Sequence, residues 1–141
     1  MKPLPLILAT LATGCATAPL LTAPTAAPRN VHAATARLPT TLQRVVVLPL
    51  TGAGADSLQP VWIAEWHKTA HFEVIAPTAA ELRALTGLST ADAAAPLPAD
   101  FLDRLRQATG CDAVLFGHLT AFHAYPPLRV GWNVKLVTVT D

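Results

Sequence analysis

Arg44-Val45-Val46-Val47-Leu48 is a run of apolar, mostly β-branched residues after an arginine, and Pro49 follows it directly. A run without polar alternation predicts a strand that is buried on both faces, as in sheets that carry helices on either side. Pro49 ends the run, because proline has no backbone N–H to add to a strand ladder. This stretch therefore predicts an α/β fold with an interior strand at residues 44–48.

The segment after this strand has the spacing of a helix. Leu58, Trp62 and Trp66 recur at intervals of four residues, which places them on one stripe of a helix. Ser57 is available as the N-cap, and Pro60 is predicted in the first turn, where proline is tolerated. Large aromatic residues in such a stripe are usually core, and a ligand platform that also includes Trp132 is the less favoured interpretation.

A second strand and two more helices follow. Residues 72–76 predict the strand. Thr78 and Glu81 have the spacing of a capping box that opens a helix, and Gly87 is placed to end it. After a polar, alanine-rich loop, residues 98–109 predict another helix. Helical and extended segments therefore alternate along this part of the chain, as in α/β domains.

The last third of the chain predicts two long strands. Residues 113–122 begin as an apolar strand, and Pro126-Pro127 then interrupts the chain. The alternation that follows predicts an antiparallel strand with one buried and one solvated face. Its apolar positions are Leu128, Val130, Trp132, Val134 and Leu136. Val137 and Val139 have the opposite parity, which predicts either a bulge or an end that is buried on both faces.

Together these elements predict one small α/β (α+β) domain over residues 42–141. Its element order is β-α-β-α-α-β-β, with a mixed sheet on which the helices pack. The chain ends at Asp141 directly after the last predicted strand, and one expectation is that a final strand and helix are missing. All nine acidic residues and seven of the ten basic residues fall in this domain, without a basic cluster. That distribution argues against a nucleic-acid-binding surface.

The start of the chain has a different character. Lys2 precedes a short apolar run over residues 4–11, and Leu11-Ala12-Thr13-Gly14-Cys15 ends it. A positive start, a brief apolar core and small residues are the layout of a secretory signal. The segment resembles the lipobox of bacterial lipoproteins, although Ala12 stands where that family usually has leucine. The resemblance implies a lipoprotein signal peptide over residues 1–14 and attachment of lipid to the thiol of Cys15.

Two other interpretations of this segment stay open. Ala16-Thr17-Ala18 fits the small-x-small rule for ordinary signal cleavage, which would release a soluble secreted protein. A membrane-spanning helix is less favoured, because residues 4–11 fall far short of the ~20 residues required and prolines interrupt the segment. For a lipoprotein, alanine rather than aspartate after Cys15 implies the outer membrane, with the domain facing the periplasm.

Residues 15–41 connect the signal to the domain. They consist mainly of alanine, threonine and proline, with prolines at positions 19, 24, 28 and 39. The segment lacks apolar periodicity, and its prolines prevent a continuous helix. It therefore predicts a semi-extended, disordered tether.

One phrase in the domain has a family resemblance. It reads Gly110-Cys111-Asp112-Ala113-Val114-Leu115-Phe116-Gly117-His118-Leu119. A helix that ends at glycine, an Asp-Ala-Val strand and a second glycine resemble a group of envelope lipoproteins. That group includes the curli-secretion family and the lipoprotein activators of penicillin-binding proteins, whose neighbouring strands match residues 45–49, 72–75 and 136–141. The resemblance implies a mixed sheet and a protein that binds through its surface. It assigns no role to any individual residue of this chain.

Two candidate ligand sites are incomplete in the sequence. His67 and His71 have the i, i+4 spacing of a zinc helix, but the glutamate of a His-Glu-x-x-His motif and a third ligand are not supplied. Residues 52–57 imitate a dinucleotide-binding loop, with Ser57 in place of its third glycine. We therefore interpret the two histidines as exposed side chains and the glycine-rich segment as an ordinary loop.

Two further features favour structural roles. His118 and His123 are an odd number of residues apart on one strand, so without a bulge they face opposite sides of the sheet. Cys111 at the start of an apolar strand predicts a small buried residue. A Cys15–Cys111 disulfide is the alternative if Cys15 carries no lipid.

We therefore predict a lipoprotein, held to the membrane by lipid on Cys15, that acts as a non-catalytic binding or assembly accessory of the cell envelope. The sequence predicts no catalytic residue, metal ligand, cofactor or nucleic-acid partner. The expected partner is an envelope protein or a component of peptidoglycan synthesis or secretion, and a homo-oligomer stays open. The alternatives are a structural subunit of a homo-oligomeric envelope complex, and a soluble secreted hydrolase or metal-dependent enzyme. An enzyme needs a nucleophile–base pair or a closed ligand set, which the sequence does not supply.

Overall fold

The computed structural model describes residues 38–139. In chain order the elements are β1 (Arg44–Val47), β2 (Thr51–Gly52), α1 (Ala55–His67), β3 (Glu73–Ile75), α2 (Ala79–Thr86), α3 (Phe101–Thr109), β4 (Ala113–His123) and β5 (Arg129–Thr138). The predicted mixed α/β domain and its element order are confirmed, with one addition. The short strand β2 resumes the sheet after Pro49, at two residues with no strand pattern of their own.

The sheet is parallel except at one edge. β1 pairs with β3 and with β4 in parallel, and β2 pairs with β4 in parallel. β5 pairs antiparallel with β4 along its whole length, from Ala113 to His123. Because β5 occupies one edge of β4, β1 and β2 must share the other edge. The spatial order is therefore β3-β1-β4-β5, with β2 beyond the end of β1.

The strand that opens the domain lies between two hydrophobic cores. Val45 and Val47 contribute to the core that contains Trp62 of α1. Val46 and Leu48 contribute to the other core, with side chains of α2 and α3. All four side chains are fully buried. The prediction of a strand buried on both faces is therefore confirmed, and helices cover both sides of the sheet there.

The helix ends follow the predicted capping residues in α2 and depart from them in α1. In α2 the Thr78 hydroxyl accepts from the Glu81 N–H, and the Glu81 carboxylate accepts from the Thr78 N–H at 2.7 Å. α1 begins at Ala55 after Gly54, which has a positive φ of 85°. The predicted Ser57 cap is therefore wrong, and Pro60 lies inside the helix instead of in its first turn.

A single carboxylate ties β1 to the start of β4. The Asp112 Oδ2 atom accepts hydrogen bonds from the backbone N–H groups of Gln43 and Arg44, each at 2.8 Å. These bonds stabilise the charged carboxylate, so they hold the pKa of Asp112 below its ordinary value, chiefly through the Arg44 N–H. The aspartate of the Asp-Ala-Val phrase therefore links the start of β1 to the start of β4.

We expect Asp112→Asn to lower the free energy of unfolding at neutral pH and to lose that effect in acid. A carboxyl with a depressed folded-state pKa stabilises the fold above its ordinary value of 3.8, and that stabilisation disappears as pH falls through the folded-state pKa. Urea unfolding of both proteins at about pH 6 and about pH 2.5 measures the change. If Asp112→Asn lowers the free energy of unfolding equally at both pH values, this role of the carboxylate is contradicted. Asp103→Asn on α3 is the control.

Candidate binding surface

The outer edge of β5 is open in the described part of the chain. β5 is ten residues long, and no strand within residues 38–139 pairs with the edge that faces away from β4. The Val139 N–H donates to the Asp112 carbonyl at 2.8 Å, toward β4. Because backbone groups alternate along an antiparallel strand, those of Trp132, Val134 and Leu136 point to the outer edge. A row of backbone donors and acceptors is thus available there.

One face of β5 is apolar and largely uncovered. Val130, Trp132 and Val134 are 38%, 43% and 44% exposed. The alternating pattern predicted these side chains on a buried face, and that prediction is wrong for this part of the strand. α1 packs over β1 and β4, and Trp62 of this helix stacks on Trp132 of β5, with ring centroids 5.6 Å apart. The rest of this face extends beyond the helix.

The other end of β5 is covered on both faces. Leu136 packs against the core under α1, and Val137 and Val139 pack against the core under α2 and α3. The register of β5 is regular from Trp132 to Thr138. Of the two predicted explanations for the change of parity, the structure shows no bulge in β5 there but an end that is partly buried on both faces.

A bulge does occur, but in β4. The register shifts between Leu119 and Ala121, so Thr120 has no partner residue on β5. His118 pairs with Asn133, and His123 pairs with Arg129. Because paired residues share a face and the β5 partners are an even number apart, the two histidines lie on the same face. The expectation of opposite faces is wrong, although the histidines line separate cavities.

His118 belongs to a polar cluster that the sequence did not indicate. Its Nδ1 atom lies 2.8 Å from Asp92 Oδ2 and 3.0 Å from Thr51 Oγ1. A cavity of about 490 Å³ lies beside this cluster, and Asn133 and Lys135 of β5 also line it. Asp92 comes from the loop between α2 and α3, far from His118 in sequence, so no spacing rule could have placed it there.

The geometry of this cluster does not form a catalytic triad. In a triad the nucleophile and the carboxylate bond to opposite nitrogens of the imidazole, so that the base can take a proton from one while the carboxylate orients the other. Here Thr51 and Asp92 both contact Nδ1 of His118. The Thr51 hydroxyl also donates to the Gly117 carbonyl at 3.1 Å. The arrangement therefore ties β2 and a loop to β4.

The remaining sequence candidates lie apart from β5. His67 ends α1 and His71 follows the helix, both exposed, and no group of three His, Cys, Asp or Glu residues among the described ones could hold a metal ion. Gly52 lies against the Leu119 carbonyl, where a side chain would not fit. This close approach explains why glycine occupies the position, and a nucleotide-binding role is not needed to explain it. Cys111 is buried as a free thiol, as predicted. Cys15 and the signal lie outside the described residues.

Within residues 38–139 no helix is long and apolar enough to span a membrane.

No protein-family model and no curated protein matches the chain. The crystal structure of the lipoprotein GNA1162 from Neisseria meningitidis is similar to it, with a TM-score of 0.44 and 19% sequence identity. The match covers 67% of this chain and 68% of that one.

Proposed function

We propose that the protein is a lipid-anchored, non-catalytic accessory of the bacterial cell envelope that binds another protein through β5. The observation that carries this proposal is the ten-residue strand with an open outer edge and an exposed apolar face. Long, flat and apolar edges invite pairing with other chains, and soluble domains usually shorten, charge or cover them. Trp132 also supplies the kind of large aromatic side chain that is enriched at protein interfaces.

The surface suits addition of a strand from a partner. In this mode of recognition an extended segment pairs with a sheet edge, main-chain hydrogen bonds give affinity, and alternate side chains give specificity. The outward backbone groups of β5 supply the hydrogen bonds, and Val130, Trp132 and Val134 supply apolar contacts on one face. The proposed role needs no nucleophile, metal or cofactor.

The anchor is proposed from the sequence alone. Lys2, the apolar run and the small residues before Cys15 support a lipoprotein signal. Each buried methylene contributes about 0.8 kcal/mol, so two or three acyl chains on Cys15 would hold the protein stably at a membrane. Residues 15–41 would then serve as the tether, and alanine after Cys15 supports the outer membrane, with the domain in the periplasm.

We expect the mature protein isolated from membranes to begin at Cys15 and to carry acyl chains. Intact-mass analysis of this protein beside a Cys15→Ser variant tests the anchor, because serine supplies no thiol for lipid attachment. The expected result is a lipidated mass that is lost in the variant. A protein that is cut after Ala18 and found free of membranes contradicts the anchor and favours ordinary secretion.

Cross-linking from β5 tests the binding role. A photoreactive amino acid is placed at Val134, and for comparison at Gln107, an exposed position on α3. Irradiation of cells should give a discrete adduct with an envelope protein from position 134 and none from position 107. Failure to cross-link from position 134, or equal adducts from both positions, contradicts binding through β5.

A further inference from the structure

The charges on β5 narrow the choice of partner. The strand contains Arg129 and Lys135 and no acidic residue. Among the described residues neither cation has a carboxylate within 4.0 Å. Their parity is opposite to that of Trp132, so one face of β5 is apolar and the other is cationic. Asp92 also lines the cavity beside Lys135, and its Oδ2 atom lies 2.8 Å from Nδ1 of His118.

A second copy of β5 and the tether of this chain could each pair with the open edge of β5, but both complement its charges poorly. If β5 paired with β5 of a second copy, no register would place a carboxylate opposite either cation, because the strand carries none. Like charges on neighbouring strands destabilise their pairing. The tether is no better, since residues 15–41 contain Arg29 and Arg37 and no acidic residue. Both occupants would add positive charge to a positive edge.

We propose that β5 takes up an extended acidic segment of a different protein as an added strand, in which carboxylates alternate with apolar side chains. This inference rests on the proposed function and names the chemistry of the partner. The apolar side chains of the segment would lie beside Val130, Trp132 and Val134. Its carboxylates would lie on the opposite face, beside Arg129 and beside the cavity that Lys135 and Asn133 line.

Two synthetic peptides test this chemistry on the purified full chain. Both are about ten residues long, to match the edge, and alternate threonine or valine with a charged residue, which is glutamate in one and lysine in the other. We expect the glutamate peptide to bind at least about ten-fold more tightly at low salt, with a difference that shrinks as salt rises. The intrinsic tryptophan fluorescence of the protein, to which Trp132 contributes with Trp62 and Trp66, or the anisotropy of a labelled peptide reports binding.

Charge-reversal variants locate the preference. Arg129→Glu combined with Lys135→Glu should reverse the preference in favour of the lysine peptide. Arg83→Glu combined with Arg104→Glu changes the net charge equally on α2 and α3 and should leave the preference intact. If the control pair also removes the preference, the effect comes from net charge and the inference is overturned.

The edge itself is tested with Val134→Pro, which removes an outward N–H while leaving the bonds to β4, as prolines on edge strands do. Loss of glutamate-peptide binding in this variant supports strand addition. If both peptides bind equally well and Val134→Pro abolishes the binding of both, the inference of an acidic partner is overturned, while binding at β5 is retained. If the unmodified protein is a dimer and Val134→Pro makes it monomeric, a second copy of this chain occupies the edge of β5, and the inference is overturned. If neither peptide binds, the inference fails, and cross-linking from position 134 still decides the proposed function.

Discussion

Phe101→Ala should lower the free energy of unfolding by about 3–5 kcal/mol, the range expected for truncating a buried aromatic side chain. Phe101 opens α3 and is 1% exposed. Its ring lies 6.3 Å from the ring of Phe116 on β4, centroid to centroid, within the core under α2 and α3. Alanine would leave a cavity where the helix meets the sheet, in addition to losing the buried area.

Urea unfolding of the purified full chain measures this effect, and Tyr125→Ala is the matched control. Tyr125 is also aromatic but is 84% exposed, between β4 and β5. Truncation at such a position should change the free energy of unfolding by no more than about 0.5 kcal/mol. A loss below about 1 kcal/mol for Phe101→Ala would contradict the packing of α3 on the sheet.

Gly52→Ala should cost about 2–5 kcal/mol, because two separate penalties combine at this position. Gly52 has a φ of 100°, which L residues with a side chain rarely adopt. A Cβ atom there would lie 2.3 Å from the backbone carbonyl oxygen of Leu119. Since that oxygen belongs to β4, the clash is relieved only by moving β2 away from β4.

Gly87→Ala separates the two penalties. Gly87 ends α2 with a φ of 85°, and a Cβ atom there would meet nothing within 4 Å. This variant should therefore lose only the conformational part, about 1–2 kcal/mol. Equal losses of unfolding free energy at the two glycines, measured in urea, would show that the approach of β2 to β4 is not tight.

Local patterns predicted most of the elements, because their causes lie within a few residues. The valines of β1, the capping box at Thr78 and the glycine at Gly110 each have a short-range physical reason to form their element. β2 was not predicted, because a two-residue strand has no periodicity. The bulge at Thr120 escaped because it depends on the register with β5, where Gly131 leaves room for the Thr120 hydroxyl.

The binding surface was only partly predictable. Alternation at residues 128–136 identified the strand and its apolar face, but an alternating pattern does not say whether a helix lies over that face. α1 is placed over β1 and β4 by Leu58, Trp62 and Trp66, which leaves Val130 and Val134 beyond its reach. The approach of Asp92 to His118 depends on the path of a loop, and no spacing in the sequence encodes it.

Amide hydrogen exchange of β5 tests most directly whether its outer edge is where a partner binds. Exchange is compared between the purified full chain and the protein in its native membranes, with Asn133 and Lys135, whose N–H groups bond to β4, as internal references. We expect the outward N–H groups of Trp132 and Val134 to exchange at least about ten-fold more slowly in membranes, because a partner strand accepts their hydrogen bonds. Equal exchange of these two amides in both preparations would contradict strand addition at β5.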